Sequence, residues 1–334
     1  MNIHQWKKQI RNFNKAYENS APSKQWNRNT RANLSRFNKE NSIWSMQWKY
    51  TGEEEKAMVL VGSSPCLAED VKKLKALDDN FIIICANSAL KYLLKNGVKP
   101  HYVISIDSDD IDIPQHLDIE ENDIILLASS VTCAKALDNW KGPIWYAPYY
   151  SINKKMKPIL RGKLGRSVPC GGNSITQALV ICTVIWGGHT VIFVANELCL
   201  DKKYYADPKA AKQEEIKRLY PAVDVKGRER WTLPALYNYA IWTERVCTDL
   251  SPPGYFIDTS FGMLGKDRSA IHVVELSEAI EQVRNAFRIK KELNKLDMKE
   301  KITDAFRKAK NDKSQVYRYN VQEQQGEILR LARS

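Results

Sequence analysis

KAMVLVGSSPCLAEDVKKLKALDDNFIIICANSALKYLLKNGVKPHYVISIDS, residues 56–108, decides how this chain folds. It holds the short apolar runs AMVLVG, FIIICAN and YVISID. They are rich in Ile and Val and lack the alternation of a strand with one wet face. They therefore read as strands buried on both faces, as in a parallel sheet. Helical candidates lie between them at Leu67–Ala76 and Ser88–Asn96, the second stopped by Asn96-Gly97. The alternation continues through DIILLAS, PIWYAP, a helix over Asn173–Trp186 and the strand TVIFVAN. A helix over Leu233–Leu250 ends at Ser251-Pro252-Pro253-Gly254, and YFIDTS reads as a late strand. The fold class is α/β: a doubly wound, mostly parallel Rossmann-like sheet with helical N- and C-terminal extensions. Residues 201–230 are polar, show no strong strand and read as a lid or insertion.

The chain has 334 residues, 43% of them hydrophobic, enough to bury a substantial core. No apolar stretch reaches the roughly 20 residues that cross a bilayer. The first residues, MNIHQWKKQIRNFNK, lack the apolar centre of a secretion signal, so a cytoplasmic location is expected. Of the seven cysteines, Cys85, Cys182 and Cys199 fall in apolar runs. With no CxxC and no Cys/His cluster at zinc spacing, neither structural zinc nor a disulfide framework is expected.

The net charge of +12 is segregated. Residues 1–50 carry ten Lys/Arg against two acids, and residues 281–334 carry fourteen against eight. Residues 51–280 carry 27 basic and 29 acidic residues. This divides the chain into a basic Trp-rich N-terminal extension (1–50), an enzyme-like, Rossmann-like nucleotide-binding domain (51–280) and a basic helical C-terminal extension (281–334). Helices are expected over Ile3–Tyr17 and through the charged stretch Glu278–Lys310. A uniformly basic nucleic-acid-binding domain would not show this segregation. The basic ends suit a nucleic acid or protein partner. Alternatively, Trp6, Trp26, Trp44 and Trp48 pack the arm onto its own domain or onto a second subunit of a homo-oligomer.

The candidate site residues cluster where strands end. After the first strand, Gly62-Ser63-Ser64-Pro65 leads into a helix. Gly62 reads as a tight turn open to a ligand, so a Val there is expected to block the ligand without unfolding the protein. Ser63 or Ser64 reads as the helix cap, with Pro65 in the first turn. Free N–H groups at such a helix start attract phosphate. Neither a Walker A loop nor GxGxxG is present. The second strand ends at Asn87 and Ser88, which serve as a cap or read a base or ribose. The third ends in SIDSDDID, where Asp107, with Asp109 beside it, suits Mg²⁺ and the neighbouring Asp110 and Asp112 read as a solvated turn. Gly171-Gly172-Asn173-Ser174 opens another capped helix. Asn196-Glu197 ends the following strand, and Glu197 is a candidate for ribose contact or for a general base. His189 lies at the opposite edge and reads as structural.

VGSSPCL, then CANSALKYLLKNGVKPHYVISIDS, then CGGNSITQAL and VIFVANELCL resemble the MptE-like 6-hydroxymethylpterin diphosphokinase family, which includes motility-accessory-factor proteins linked to flagellin glycosylation. WTLPALYNYAIWTERV and YFIDTSFGMLG resemble its final helix and strand, so the resemblance covers residues 56–280. The family's G-x-G-P-S-L appears here as Gly62-Ser63-Ser64-Pro65-Cys66-Leu67. The resemblance implies diphosphate transfer from ATP to a hydroxymethylpterin with Mg²⁺. The flagellin-associated members resemble sialyltransferases that use CMP-activated sugars. By that analogy Gly62, Ser63, Asn87 and Ser174 contact the nucleotide, and Tyr204 or Tyr205 meets the leaving phosphate. Those members carry Gly at the place of Ala195, Asp at the place of Glu197, and a catalytic His before the final helix. Residues 201–235 contain no His.

Three readings follow. The first is diphosphate transfer from ATP, with Asp107 holding Mg²⁺, the Gly62–Ser64 turn on the phosphates and Glu197 at the acceptor. The second is transfer from a CMP-sugar. The third is a non-catalytic binding or assembly protein on the same fold.

Overall fold

The computed structural model describes residues 22–51, 55–109, 116–149, 156–200, 219–266 and 269–295. The chain enters through helix α1 (Pro22–Ala32) and short helical turns at Leu34–Arg36 and Ile43–Met46. Then follow β1 (Ala57–Val61), α2 (Leu67–Leu74), β2 (Phe81–Ala86), α3 (Asn87–Lys95), β3 (Tyr102–Ser105) and β4 (Ile125–Ser129). After these come α4 (Ala134–Asn139), β5 (Ile144–Ala147), α5 (Met156–Leu164), α6 (Ser174–Val180) and β6 (Thr190–Val194). The last elements are β7 (Tyr220–Val223), β8 (Glu229–Thr232), α7 (Pro234–Leu250), β9 (Tyr255–Asp258), β10 (Ile271–Val273) and α8 (Leu276–Lys295). The expected helix over Ile3–Tyr17, Trp6, and the part of the C-terminal helical stretch beyond residue 295 lie outside the described residues.

Eight strands form one sheet in the order β10-β9-β6-β1-β2-β3-β4-β5. Every neighbouring pair in it is parallel. From β1 the chain winds outward through β2, β3, β4 and β5, then returns to place β6 on the other flank of β1. The reversal leaves a crevice between the C-terminal ends of β1 and β6, the switch point where open α/β sheets bind ligands.

Each strand alternates its side chains between two apolar layers. Val59 and Val61 join Val71, Leu74, Leu90, Leu160 and Ile280 on one face. Met58 and Leu60 join Ile175, Leu179, Trp186, Val246 and Cys247 on the other. In α2, Leu67, Val71 and Leu74 are buried, three positions on one helical stripe. The expected helix Asn173–Trp186 is α6 continued by a wider π-helical turn over Ile181–Ile185.

Residues 201–230 were expected to lack strands, yet β7 and β8 form an antiparallel hairpin there, extended by a bridge from Leu200 to Trp231. Its strands are mostly exposed, so no apolar run announces them.

The N-terminal arm packs on the sheet. Trp26 stacks edge-on against Tyr149 at 5.3 Å, and Phe37 against Tyr146 at 4.9 Å. Ser42 bridges to Tyr146 of β5, so the arm runs beside the last strand of the sheet and covers its open edge. Trp44 donates its indole N–H to the Arg166 carbonyl, while Trp48 is 58% exposed. At the other end, α8 runs through residue 281 and buries Leu276, Ala279, Ile280 and Val283 in the same core.

Candidate functional site

A cavity of about 220 Å³ opens at the switch point. The turn after β1 supplies Gly62, Ser63 and Ser64, the start of α3 supplies Asn87 and Ser88, and the end of β3 supplies Asp107. The start of α6 supplies Gly172, Asn173 and Ser174, and the end of β6 supplies Ala195 and Asn196. Leu198, Leu200, Leu236 and Tyr239 form an apolar part of the wall. The structure thus brings together most of the sequence-derived candidates. Tyr204 and Tyr205 lie outside the described residues, as do Asp110 and Asp112.

The hydrogen bonds differ from simple helix capping. The residue before α2 is Cys66, without a side-chain cap, so neither Ser63 nor Ser64 caps that helix. Instead Ser63 Oγ accepts from Ser88 Oγ at 2.8 Å, joining the turns after β1 and β2. Ser64 Oγ accepts the Glu197 N–H at 3.2 Å, joining the turns after β1 and β6. Asn87 is the first residue of α3 rather than its cap. Its amide lies 3.2 Å from His116 Nδ1, and its carbonyl oxygen meets Ser174 Oγ at 3.5 Å. Asn173 does cap α6, in a reciprocal pair with Thr176. The polar turns therefore hold one another across the crevice.

The glycines serve packing. A Cβ on Gly62 would lie 2.3 Å from the Ala195 carbonyl oxygen, so a Val there clashes with backbone rather than with a ligand. Gly62 N–H bonds Val194, and Ser64 N–H bonds Ala195, which brings the ends of β1 and β6 close together. Gly172 has φ +114 and faces Tyr239 of α7 at 2.5 Å from an ideal Cβ. Ala195 has φ 52, a left-handed conformation that suits glycine.

Asp107 stands open to the cavity but is walled by protein. Desolvation pushes its carboxyl above the usual range, with His116 opposing the shift and Asp109 adding to it. Asp109 is exposed and does not line the cavity. Among the described residues no group of three or more His, Cys, Asp or Glu is placed to hold a metal. Asp107 alone fits a Mg²⁺ that takes most of its ligands from phosphate and water.

Glu197 is placed differently from the expectation: it is 8% exposed and does not line the cavity. Burial raises its carboxyl, opposed by a hydrogen bond from Cys66 and by the Arg230 charge. Arg230 lies 3.8 Å from Glu197 and bonds Asp224 at 3.0 Å. Behind the same turn, fully buried Asp258 accepts from the Ser260 N–H, and Ser260 Oγ accepts from the Asn196 N–H. His189 sits at the opposite edge, its carbonyl accepting the Tyr255 N–H. His116 was not singled out in the sequence, and its one available signal is its place nine residues past Asp107.

The fold and cavity define an α/β protein with a polar ligand crevice at its sheet's switch point. The family model for 6-hydroxymethylpterin diphosphokinase MptE-like proteins matches residues 28–203, more than half the chain, and the chain belongs to that family. The match begins inside α1, upstream of the region whose motifs carry the resemblance. No curated protein matches. The MAf glycosyltransferase from Magnetospirillum magneticum AMB-1 aligns with a TM-score of 0.57 at 16% identity, covering 73% of this chain and 37% of that one. At that identity the likeness speaks for the fold, and this chain spans little more than a third of that protein. The family model gives the family, and the structural neighbour shares the fold. Among the described residues no helix is long and apolar enough to cross a membrane.

Proposed function

We propose that this protein moves diphosphate from ATP to a hydroxymethyl, pterin-like acceptor. The observation that carries the reading is the convergence of Ser63, Ser64, Asn87, Ser88, Asn173 and Ser174 on one cavity at the switch point. Hydroxyls, amides and helix starts in that arrangement suit phosphate oxygens. In such a transfer the acceptor's hydroxyl oxygen bonds the β-phosphorus, the Pα–O–Pβ bridge breaks on the β side, AMP leaves, and the hydroxyl proton passes to solvent or buffer. The described lining includes no Lys or Arg. Mg²⁺, held by the phosphates and Asp107, would supply the charge neutralisation that phosphoryl transfer requires. The chain's own part is positioning: the Ser63–Ser88 and Ser64–Glu197 hydrogen bonds fix the turns around the phosphates. Glu197 acts there through its backbone N–H and the charges behind the turn.

A CMP-sugar is the second reading. The uncharged hydroxyl and amide lining favours it, since a nucleoside monophosphate needs less neutralisation than a triphosphate. Turnover of ATP and of CMP-sugars, with and without EDTA and in Asp107→Asn, separates the two. Mg²⁺-dependent ATP consumption, lost in Asp107→Asn, is the expected result. Metal-independent turnover of a CMP-sugar overturns it.

A further inference from the structure

Helix α1 reaches the loops after β3 and β4 through side-chain amides. Asn29 Nδ2 donates to the Ser108 carbonyl at 3.0 Å and to the Val131 carbonyl at 3.1 Å. Gln25, one helical turn earlier on the same face, donates to the same Ser108 carbonyl. Asn33, just past the helix, donates to the Thr132 carbonyl at 2.9 Å. Asn29 is 3% exposed and Asn33 is fully buried. An amide NH₂ has two hydrogens, and those of Asn29 join the loops that follow β3 and β4. Those loops are also joined directly: Thr132 Oγ1 donates to the Ser105 carbonyl at 2.8 Å, and the Cys133 N–H to the Asp107 carbonyl at 3.3 Å. Asp107 therefore sits in a segment clamped at its own carbonyl and at the next one. Buried carbonyls stripped of a donor bear their desolvation cost uncompensated, so the clamp is weakened if Asn29 cannot donate: the Val131 carbonyl loses its donor and the Ser108 carbonyl keeps only Gln25.

We propose that Asn29 is a positioning residue of the cavity, acting through the Ser108 and Val131 carbonyls to place Asp107; its consequence for ligand binding rests on the reading of Asp107 as the Mg²⁺-side group. The basic N-terminal segment is thereby part of the site's framework. The family match agrees in extent, since it begins at residue 28.

Two readouts in the full chain test this. In Asn29→Asp an oxygen replaces the donor NH₂ at equal size. Hydrogen exchange at the Cys133 amide, whose N–H meets Asp107, is expected to speed up at least tenfold, while the Leu60 amide in β1 keeps its protection. The ratio of ATP affinity with Mg²⁺ to that without is expected to fall at least fivefold, with metal-free affinity unchanged. Unaltered Cys133 exchange overturns the proposal. Faster exchange, in a protein whose wild type shows no Mg²⁺-dependent ATP binding, leaves Asn29 as the clamp and removes the ATP reading. Should Asn29→Asp fail to fold, Asn29→Ala removes the same donor without adding a charge. Faster exchange at Cys133 is then expected, and none overturns the proposal.

Discussion

On the open side of the β1–β6 junction stand neutral donors and acceptors: Ser63, Asn87, Ser88, Asn173, Ser174 and Asn196. On the closed side, behind the same turns, stand the charges Glu197, Asp258, Asp224 and Arg230. Asp107 is the single acidic side chain among the described cavity residues. The difference shows how this chain divides the work. Neutral groups face the crevice, where the proposed anion would meet hydrogen bonds and helix starts. The charges lie where burial shifts them and where they stiffen the turns. The hydroxyl of Ser64 and the backbone of Glu197 are the hinge between the two sides.

The largest expected effect concerns the framework that both sides share. Deleting residues 1–50 removes Trp26, Phe37, Ile43, Met46 and Tyr50 from the core. At about 1.5–3 kcal/mol for each large apolar side chain, the loss rivals the whole stability of a domain. A fragment starting at residue 51 is expected to lack a cooperative thermal transition by circular dichroism, whereas a folded fragment would make the arm a true appendage. Gly62→Val comes next. Its branched side chain would meet the Ala195 carbonyl, and overpacking of this kind costs about 1–3 kcal/mol or more. The urea midpoint should fall accordingly, and an unchanged midpoint would show that the junction is looser than its geometry.

The closed side is sharpened by pH. Burial pushes the Asp258 carboxyl up to about 7, from an ordinary value of 3.8, and the Glu197 charge adds to the shift. The folded protein thus holds this proton to higher pH than the unfolded chain does. Its contribution is fully favourable below the unfolded value, declines as pH rises towards about 7, and is lost above it. Asp258→Asn should flatten that decline and raise the stability at about pH 8 by an amount on the order of a few kcal/mol, seen as a higher thermal midpoint. A wild type and variant that lose stability in parallel over this range would remove Asp258 as its source.

The sequence made the sheet legible because its strands are buried on both faces and read as continuous apolar runs. Helix α1 was hidden for the opposite reason. The face it buries includes Asn29 and Thr30, with Asn33 beyond its end, so apolar periodicity is missing. The β7–β8 hairpin was hidden because Tyr220, Val223 and Trp231 are exposed. The cavity residues were legible as polar groups at strand ends. Their partners were not, because strand register decides whether Ser63 caps its own helix or reaches Ser88. The same holds for Glu197, whose place at the end of a strand gives no hint that its carboxylate turns towards Cys66 and Arg230.

The open side carries the central claim, that this cavity binds a nucleotide through its phosphate. Calorimetric titration of ATP with Mg²⁺, and of CMP as the rival, into wild type and the Ser63→Ala/Ser174→Ala double variant tests it most directly. The two hydroxyls face the cavity from different turns, and hydrogen bonds to a charged group are worth about 1.5–3 kcal/mol each. The account predicts that wild type binds ATP with Mg²⁺ more tightly than CMP, and that the double variant stays folded at the titration temperature yet binds at least about tenfold more weakly. Equal affinity in the two proteins, or no binding of either nucleotide to wild type, would contradict it.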